Sequence, residues 1–238
     1  MRINRYISSS GLCSRRGAEE YILEGKVKVN GKTVTNLATE INEDNDTVTV
    51  NGQKVQPIGR YTYIMFHKPK GCVCTVKDDK ERKTVMDYLP DFENKRVYPI
   101  GRLDYDTEGL LLLTNDGNLA NLLTQPSSEI PKTYSVKIEG TLSESELATM
   151  RNGMTIDGVK LKKSKISVKE SNEKKMKLEV TIFEGKNRQI HRMFETMGKT
   201  VVFLKRIKVG ELRLGGLTRG TYRYLTDKEV AHLKGLCK

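Results

Sequence analysis

The run Leu110-Leu111-Leu112-Leu113, closed by Thr114-Asn115-Asp116-Gly117, limits most strongly what this chain can fold into. Four consecutive leucines bounded by a turn signal predict a buried strand, and Asp116-Gly117 marks where the chain leaves it. Immediately before it comes a polar loop with three acids, Asp104, Asp106 and Glu108, hinged between Gly101 and Gly109. A charged loop anchored on a rigid apolar strand is a common way to present a reactive side chain. Alone it gives a weak hint of carboxylate chemistry. An acidic surface loop with a calcium or turn role is the plainer alternative.

At 238 residues the chain fits one large domain or two smaller ones, with length for a real core. No stretch of about 18 apolar residues occurs, so no membrane helix is expected, and Met1-Arg2-Ile3-Asn4-Arg5 lacks an apolar signal region. The cysteines, Cys13, Cys72, Cys74 and Cys237, are scattered, and Cys72-Val73-Cys74 has the wrong spacing for a zinc knuckle or a redox pair. Free thiols in a reducing cytoplasm are expected. His67, His191 and His232 form no ligand cluster in the sequence, so no metal is expected.

The net charge is +12, and its distribution is uneven. Residues 1–60 carry 9 basic against 7 acidic side chains, residues 61–185 carry 20 against 19, and residues 186–238 carry 13 against 4. Solubility explains a generally basic protein, but clustering of this kind points to a polyanion such as nucleic acid.

Ile3, Tyr6 and Ile7 have helical spacing, ending at Ser10-Gly11. Ser14 is placed to cap a second helix with Ala18, Tyr21 and Ile22 on one face and Gly25 closing it. Arg15 and Arg16 then sit in its first turn, the wrong end of the helix dipole for cations, which suggests an external anion. Val27 and Val29 alternate with Lys26 and Lys28 before the turn Asn30-Gly31, and Asn51-Gly52 follows Val48 and Val50. Gln56 to Arg60 reads as a linker.

Beyond it, Tyr61 to His67 predicts a strand stopped by Lys68-Pro69-Lys70-Gly71. Thr84 to Leu89 suggests a short helix, and Val97 to Ile100 a strand. Asn118 to Leu123 reads as helical and Tyr134 to Ile138 as a strand. Ser143-Glu144-Ser145-Glu146 is a capping box for a helix with Leu147 and Met150 inward. Strands are expected through Val159–Leu161, Ile166–Val168 and Leu178–Phe183. Lys160, Lys162, Lys163 and Lys165 are equally read as RNA contacts or as a solvated strand face. Ile190, Phe194 and Met197 predict an amphipathic helix from near Asn187, followed by a strand over Val201–Leu204 and the basic cluster Lys205-Arg206-Ile207-Lys208. Thr226 with Glu229 caps a last helix over Asp227–Leu236.

Gly101-Arg102-Leu103-Asp104, Thr107, and Gly109 through Gly117 resemble the catalytic motif of the pseudouridine synthases that modify ribosomal RNA, in the RsuA/RluB branch. Lys68-Pro69-Lys70-Gly71, Lys132-Thr133-Tyr134, Glu184-Gly185-Lys186-Asn187-Arg188-Gln189-Ile190-His191-Arg192-Met193 and Leu204-x-Arg206 with Leu214, Leu217 and Gly220 extend the resemblance over nearly the whole chain. Residues 14–18 and 27–31, with the small hairpins around them, resemble the αL RNA-binding domain first known from a small-subunit ribosomal protein.

The resemblance implies an α+β architecture: a small N-terminal αL RNA-binding domain over 1–55, a linker over 56–62, and a catalytic domain over 63–238. The catalytic domain is expected to hold a mixed, mainly antiparallel sheet with flanking helices. It makes Asp104 the nucleophile, Tyr134 the aromatic that stacks near the target base and assists proton removal, and Arg188, ahead of Lys186, the partner of the catalytic carboxylate. His191 stands where the family pattern has Arg, which puts one phosphate contact in doubt, and a lone His there reads as a surface or packing residue. Phosphate or RNA contacts are expected from Arg2, Arg5, Arg15, Arg16, Lys26, Lys28, Lys32, Arg102, Lys186, Arg192, Lys205 and Arg206.

The implied reaction breaks the bond from the ribose anomeric carbon to uracil nitrogen and rejoins the base through carbon. It needs a nucleophile or charge stabiliser, a proton acceptor and a pocket that retains the free base, and no metal or organic cofactor. An Asp with a reference pKa of about 3.9 is ionised at neutral pH. Whether Asp104 attacks sugar or base is left open. The uridine must flip out of its stack at a cost of a few kcal/mol, which stacking on Tyr134, worth about 1–3 kcal/mol, offsets in part. The expected partner is ribosomal RNA or a subunit precursor, 23S rather than 16S, met in the cytoplasm by a monomer without membrane contact. The alternatives are a 16S-specific enzyme, a non-catalytic RNA-binding assembly factor, and, more distantly, a phosphate-dependent hydrolase.

Overall fold

The computed structural model describes residues 1–236, with backbone alone for 93–95, so Cys237 lies outside the described residues. Two compact units are formed, one over Met1–Thr62 with Asn94–Val97 and Asn115–Gly117, the other over the remainder.

In the first unit, α1 (Ile3–Ser9) precedes α2 (Arg15–Leu23), whose cap is Ser14: its hydroxyl accepts from the Gly17 N–H. Four short strands follow, β1 (Val27–Val29), β2 (Lys32–Thr33), β3 (Val48–Val50) and β4 (Gln53–Val55), in the antiparallel order β2-β1-β3-β4. Asn30 and Gly31 lie at φ 48° and 80°, and Asn51 and Gly52 at 50° and 79°. Two successive positive φ values are the geometry a tight two-residue hairpin turn demands. Ile3, Ile7, Ala18, Ile22, Val27 and Val48 have no exposed surface and form the core. Within the segment 56–62, the Ile58 N–H donates to Ser9 O at 3.0 Å.

The second unit begins with β5 (Tyr63–Lys68), β6 (Tyr98–Ile100) and β7 (Glu108–Thr114), then α3 (Gly117–Thr124), β8 (Lys132–Glu139) and α4 (Glu144–Arg151). Next come β9 (Thr155–Ile156), β10 (Val159–Lys160), β11 (Lys165–Ser171), β12 (Lys175–Ile182), α5 (Gln189–Thr196), β13 (Val201–Val209), β14 (Leu212–Arg213), β15 (Tyr222–Tyr224) and α6 (Asp227–Gly235). One sheet runs β11-β12-β8-β13-β7-β5-β15, with β14 on β13 and β6 on β7, while β9 and β10 form a separate hairpin. Every pair in the sheet is antiparallel except β13 with β7. The mixed, mainly antiparallel sheet of an α+β protein is therefore present. Thr84–Leu89 yields only a 3₁₀ turn over Met86–Tyr88.

The leucine run is the interior strand β7, hydrogen-bonded to β5, β6 and β13, with Leu110–Leu113 each at most 3 % exposed. Leu110 and Leu112 pack with Met65, Leu119, Leu123 and Leu233. Gly109 is required where β7 meets β13: at φ +118° a Cβ would lie 2.2 Å from Arg206 O. Glu108 is not a loop acid as its sequence neighbours suggested. It opens β7, is buried, and faces Lys205 and Arg219 at 3.8 and 3.7 Å. α4 carries the expected capping box, with Ser143 and Glu146 satisfying each other's backbone N–H groups. Among the described residues no helix is long and apolar enough to cross a membrane.

Candidate active site

Asp104 lies in the turn between β6 and β7, and two contacts made far away in sequence fix that turn. Lys68, at the end of β5, has no exposed surface, and its ammonium donates to the carbonyls of Pro69, Asp104 and Thr107 at 3.0, 3.0 and 2.9 Å. Burial lowers its pKa from the ordinary lysine value, with Cys72, Cys74 and the nearby aspartates opposing. Cys74 clasps Leu103 from the other side, its sulfur donating to Leu103 O and accepting from Leu103 N, both at 3.3 Å. The nucleophile candidate therefore sits on a backbone tethered at Leu103, Asp104 and Thr107. The sequence had marked Lys68 only as part of a turn, and Cys74 as a plain thiol.

The turn faces a cavity of about 410 Å³ whose walls include Asp104, Lys132, Tyr134, Arg188, His191 and Arg206. That volume suits a small-molecule-sized group. Tyr134 and Lys132 project from β8, two residues apart and so on one face. Arg206 stands opposite Tyr134 on β13. Tyr134 is buried. Lys132 was not singled out from the sequence; burial, helped by the charge of Arg206, pushes its pKa down to about 8.

Arg188 reaches the turn that carries Asp104 and Asp106 because its backbone departs from the helix expected there. It sits at φ 46° in the left-handed region, so α5 begins at Gln189 rather than near Asn187. The preceding loop is braced by Glu184, which accepts from Gln189 Nε2 at 2.9 Å and Lys162 N at 3.0 Å, while Gln189 Oε1 accepts from Lys186 N at 3.1 Å. The Arg188 guanidinium meets Asp106, at 3.3 and 3.2 Å from its two oxygens, and not Asp104 as the resemblance implied. Burial pushes the Asp106 carboxyl up, but the Arg188 hydrogen bond and charge outweigh it and hold the group below its ordinary value.

His191, expected as a surface or packing residue, is buried. It is 8 % exposed, and its Nε2 lies 3.8 Å from Asp106 Oδ2. Donor atoms of Asp104, Asp106 and His191 fall within 4.8 Å of one another, a grouping of cation-ligand type that the spacing of the three histidines did not reveal. Arg188 already supplies positive charge to it.

The basic residues divide. Arg2, Arg5, Arg15, Arg16, Lys26, Lys28 and Lys32 are exposed, as is Arg102, although Lys26 pairs with Glu24 at 2.7 Å. Arg206, expected to contact RNA, is 4 % exposed, its Nε donates to Leu110 O at 2.7 Å, and it belongs to the cavity wall rather than to the outer surface. Lys205 is half-buried against Glu108, Arg192 is paired with Asp157, and Lys186 lies 3.5 Å from Glu184 and donates to Lys160 O.

Comparison with known proteins agrees with this arrangement. The family model for RNA pseudouridylate synthase matches residues 62–196, and that for the S4 domain matches residues 1–48. Ribosomal large subunit pseudouridine synthase B of Bacillus subtilis is 44% identical, covering 99% of this chain and 96% of its own. The dual-specificity RNA pseudouridine synthase RluF of Escherichia coli is 38% identical, over 98% of this chain and 78% of its own. A crystal structure of a pseudouridylate synthase, 30% identical, superposes with a TM-score of 0.70 and covers 98% of this chain and 99% of that one. With a cavity presenting an aspartate, a tyrosine and an arginine on this sheet, the chain belongs to the RNA pseudouridine synthases that carry an S4 domain.

Proposed function

We propose that this chain isomerises uridine to pseudouridine in large-subunit ribosomal RNA, with Asp104 as nucleophile and Tyr134 as the surface against which the flipped base packs. The observation that carries the reading is the single cavity lined by Asp104, Tyr134 and Arg188, three residues far apart in sequence. The large-subunit assignment rests on the likeness to the Bacillus subtilis enzyme.

The reaction conserves atoms: the C1′–N1 bond breaks, a C1′–C5 bond forms, the C5 proton leaves and N1 gains one. Asp104 carries the negative charge that attacks, and the three carbonyl contacts of Lys68 keep its backbone from recoiling. Arg188 pairs with Asp106, so the charge of that carboxylate beside Asp104 is partly offset. Tyr134, buried on an interior strand, offers a rigid aromatic face that retains the base between bond breakage and rejoining. We read Met1–Thr62, with its exposed arginines and lysines, as the part that holds RNA by its phosphates, and the remainder as the catalytic part.

Pseudouridine mapping on 23S and 16S RNA, after incubation of each with the purified protein, tests the assignment. New pseudouridine in 23S RNA alone is the expected result. New pseudouridine only in 16S RNA would move the substrate to the small subunit, and none in either would remove the enzymatic reading.

A further inference from the structure

His191 is a group in the cavity wall whose surroundings the proposed reaction leaves unexplained. It lies in the first turn of α5, directly after the left-handed residue Arg188, so the loop that delivers the guanidinium also delivers the imidazole. The side chain is 10 % exposed, and its Nε2 is buried without a hydrogen-bond partner. A buried nitrogen without a partner is unfavourable and calls for a reason. Asp106 Oδ2 lies 3.8 Å from it, about 1 Å beyond a hydrogen bond, and Asp104 belongs to the same cluster.

The charged groups around the ring are Asp104 and Asp106 from the catalytic turn, Arg188 ahead of it and Glu195 on its own helix. Burial first, then Arg188, lowers the imidazole pKa below the ordinary histidine value, against the two aspartates and Glu195. The ring is therefore neutral at pH 7, with one nitrogen able to donate and the other to accept. Arg188 holds Asp106 at 3.2 Å, and the unpartnered Nε2 approaches the same carboxylate. Contacts at active sites are often long in the free enzyme and tighten when substrate enters.

We propose that His191 is a positioning residue for the Asp104–Asp106 pair: its Nε2–H donates into the carboxylate cluster once uridine fills the cavity, fixing the orientation from which Asp104 attacks. This rests on the isomerase reading given above. It assigns His191 a polar task, not the packing task its burial alone would suggest.

Two substitutions in the full-length protein separate these tasks. His191→Gln keeps an N–H near the position of Nε2, whereas His191→Leu keeps apolar bulk and loses the donor. The expected result is kcat near wild type, within about threefold, for Gln, and about a hundredfold lower for Leu, with KM for ribosomal RNA unchanged in both; misplacement of a reacting group by about 1 Å has consequences of that size. Equal kcat for the two variants, or a more active Leu than Gln variant, would overturn the proposal. A measurement on wild type alone covers the case in which Leu prevents folding. The long-range ¹H–¹⁵N spectrum of the His191 ring at pH 7 should show a neutral imidazole protonated at Nε2. A ring protonated at Nδ1 alone, or doubly protonated, would overturn the proposal. Wild type without isomerase activity on any ribosomal RNA would instead sink the functional reading, and the ring spectrum would still decide the contact.

Discussion

Lys68 and Lys132 are both buried lysines with lowered pKa values near the turn that carries Asp104, and they differ in how many carbonyls their ammonium groups meet. Lys68 exchanges water for three carbonyls, so Lys68→Met leaves those carbonyls without a donor and should destabilise the protein by about 2–4 kcal/mol in urea titrations, with loss of kcat as the turn relaxes. Unchanged stability would mean that the turn does not depend on that ammonium. Lys132 has one carbonyl contact, Ile130 O at 3.2 Å, and a pKa of about 8 against an ordinary 10.5. A folded-state pKa below the unfolded one means the folded state holds the proton less tightly. Lys132 therefore lowers stability at neutral pH, and its contribution becomes less unfavourable as pH rises from about 8 to about 10.5. Lys132→Met should raise stability at pH 7 by about 1–3 kcal/mol, with the gain shrinking toward pH 10. A gain that does not vary with pH would contradict this. Asp104 and Tyr134 could be named as candidates from the sequence because the resemblance gives each a role. Lys68 and Lys132 stand in quoted motifs and Cys74 in none, but what these three contact depends on partners that folding brings close from elsewhere in the chain.

At the scale of elements, Gly109 makes the join between the leucine strand and β13 possible. Gly109→Ala combines a positive φ with a Cβ 2.2 Å from a backbone oxygen, which neither strand can relieve by turning a side chain. A loss of more than about 3 kcal/mol is expected, measured by denaturant unfolding, or no folded protein at all. A variant that melts like wild type would mean that β7 and β13 do not approach in this way. Helix ends and hairpin turns were readable where local chemistry sets them: Ser14, Ser143 and Thr226 cap as their sequence positions require, and both Asn-Gly turns adopt the positive φ pair. The start of α5 was misplaced because Arg188 adopts a left-handed conformation held by the Asp106 pair and the Glu184–Gln189 brace, contacts that no local pattern encodes. Glu108 was misread as a loop acid for a related reason. Its burial depends on Lys205 and Arg219, about a hundred residues downstream.

At the scale of the molecule, the charge of +12 overstates what is free to meet RNA. Lys205, Arg192 and Lys186 have acidic partners, and Arg206 is buried in the cavity wall. Exposed basic residues remain on both units, among them Arg15, Arg16, Lys28 and Lys32 on the first and Arg102, Arg213 and Lys228 on the second, and they should carry the electrostatic part of binding. Affinity for ribosomal RNA should fall steeply with salt in full-length protein, and a chain starting at Tyr63 should stay folded with a shallower log–log slope. An unchanged slope in the truncated chain would place the RNA face elsewhere, and its unfolding would contradict the division into two units. The central claim is chemical, and one comparison reaches it directly: tritium release from [5-³H]uridine-labelled ribosomal RNA by wild type and by Asp104→Asn. Asn keeps size and polarity but cannot attack as a carboxylate, so release by wild type alone is the predicted result. Release by both proteins at similar rates would contradict the role of Asp104, and release by neither would contradict the isomerase itself.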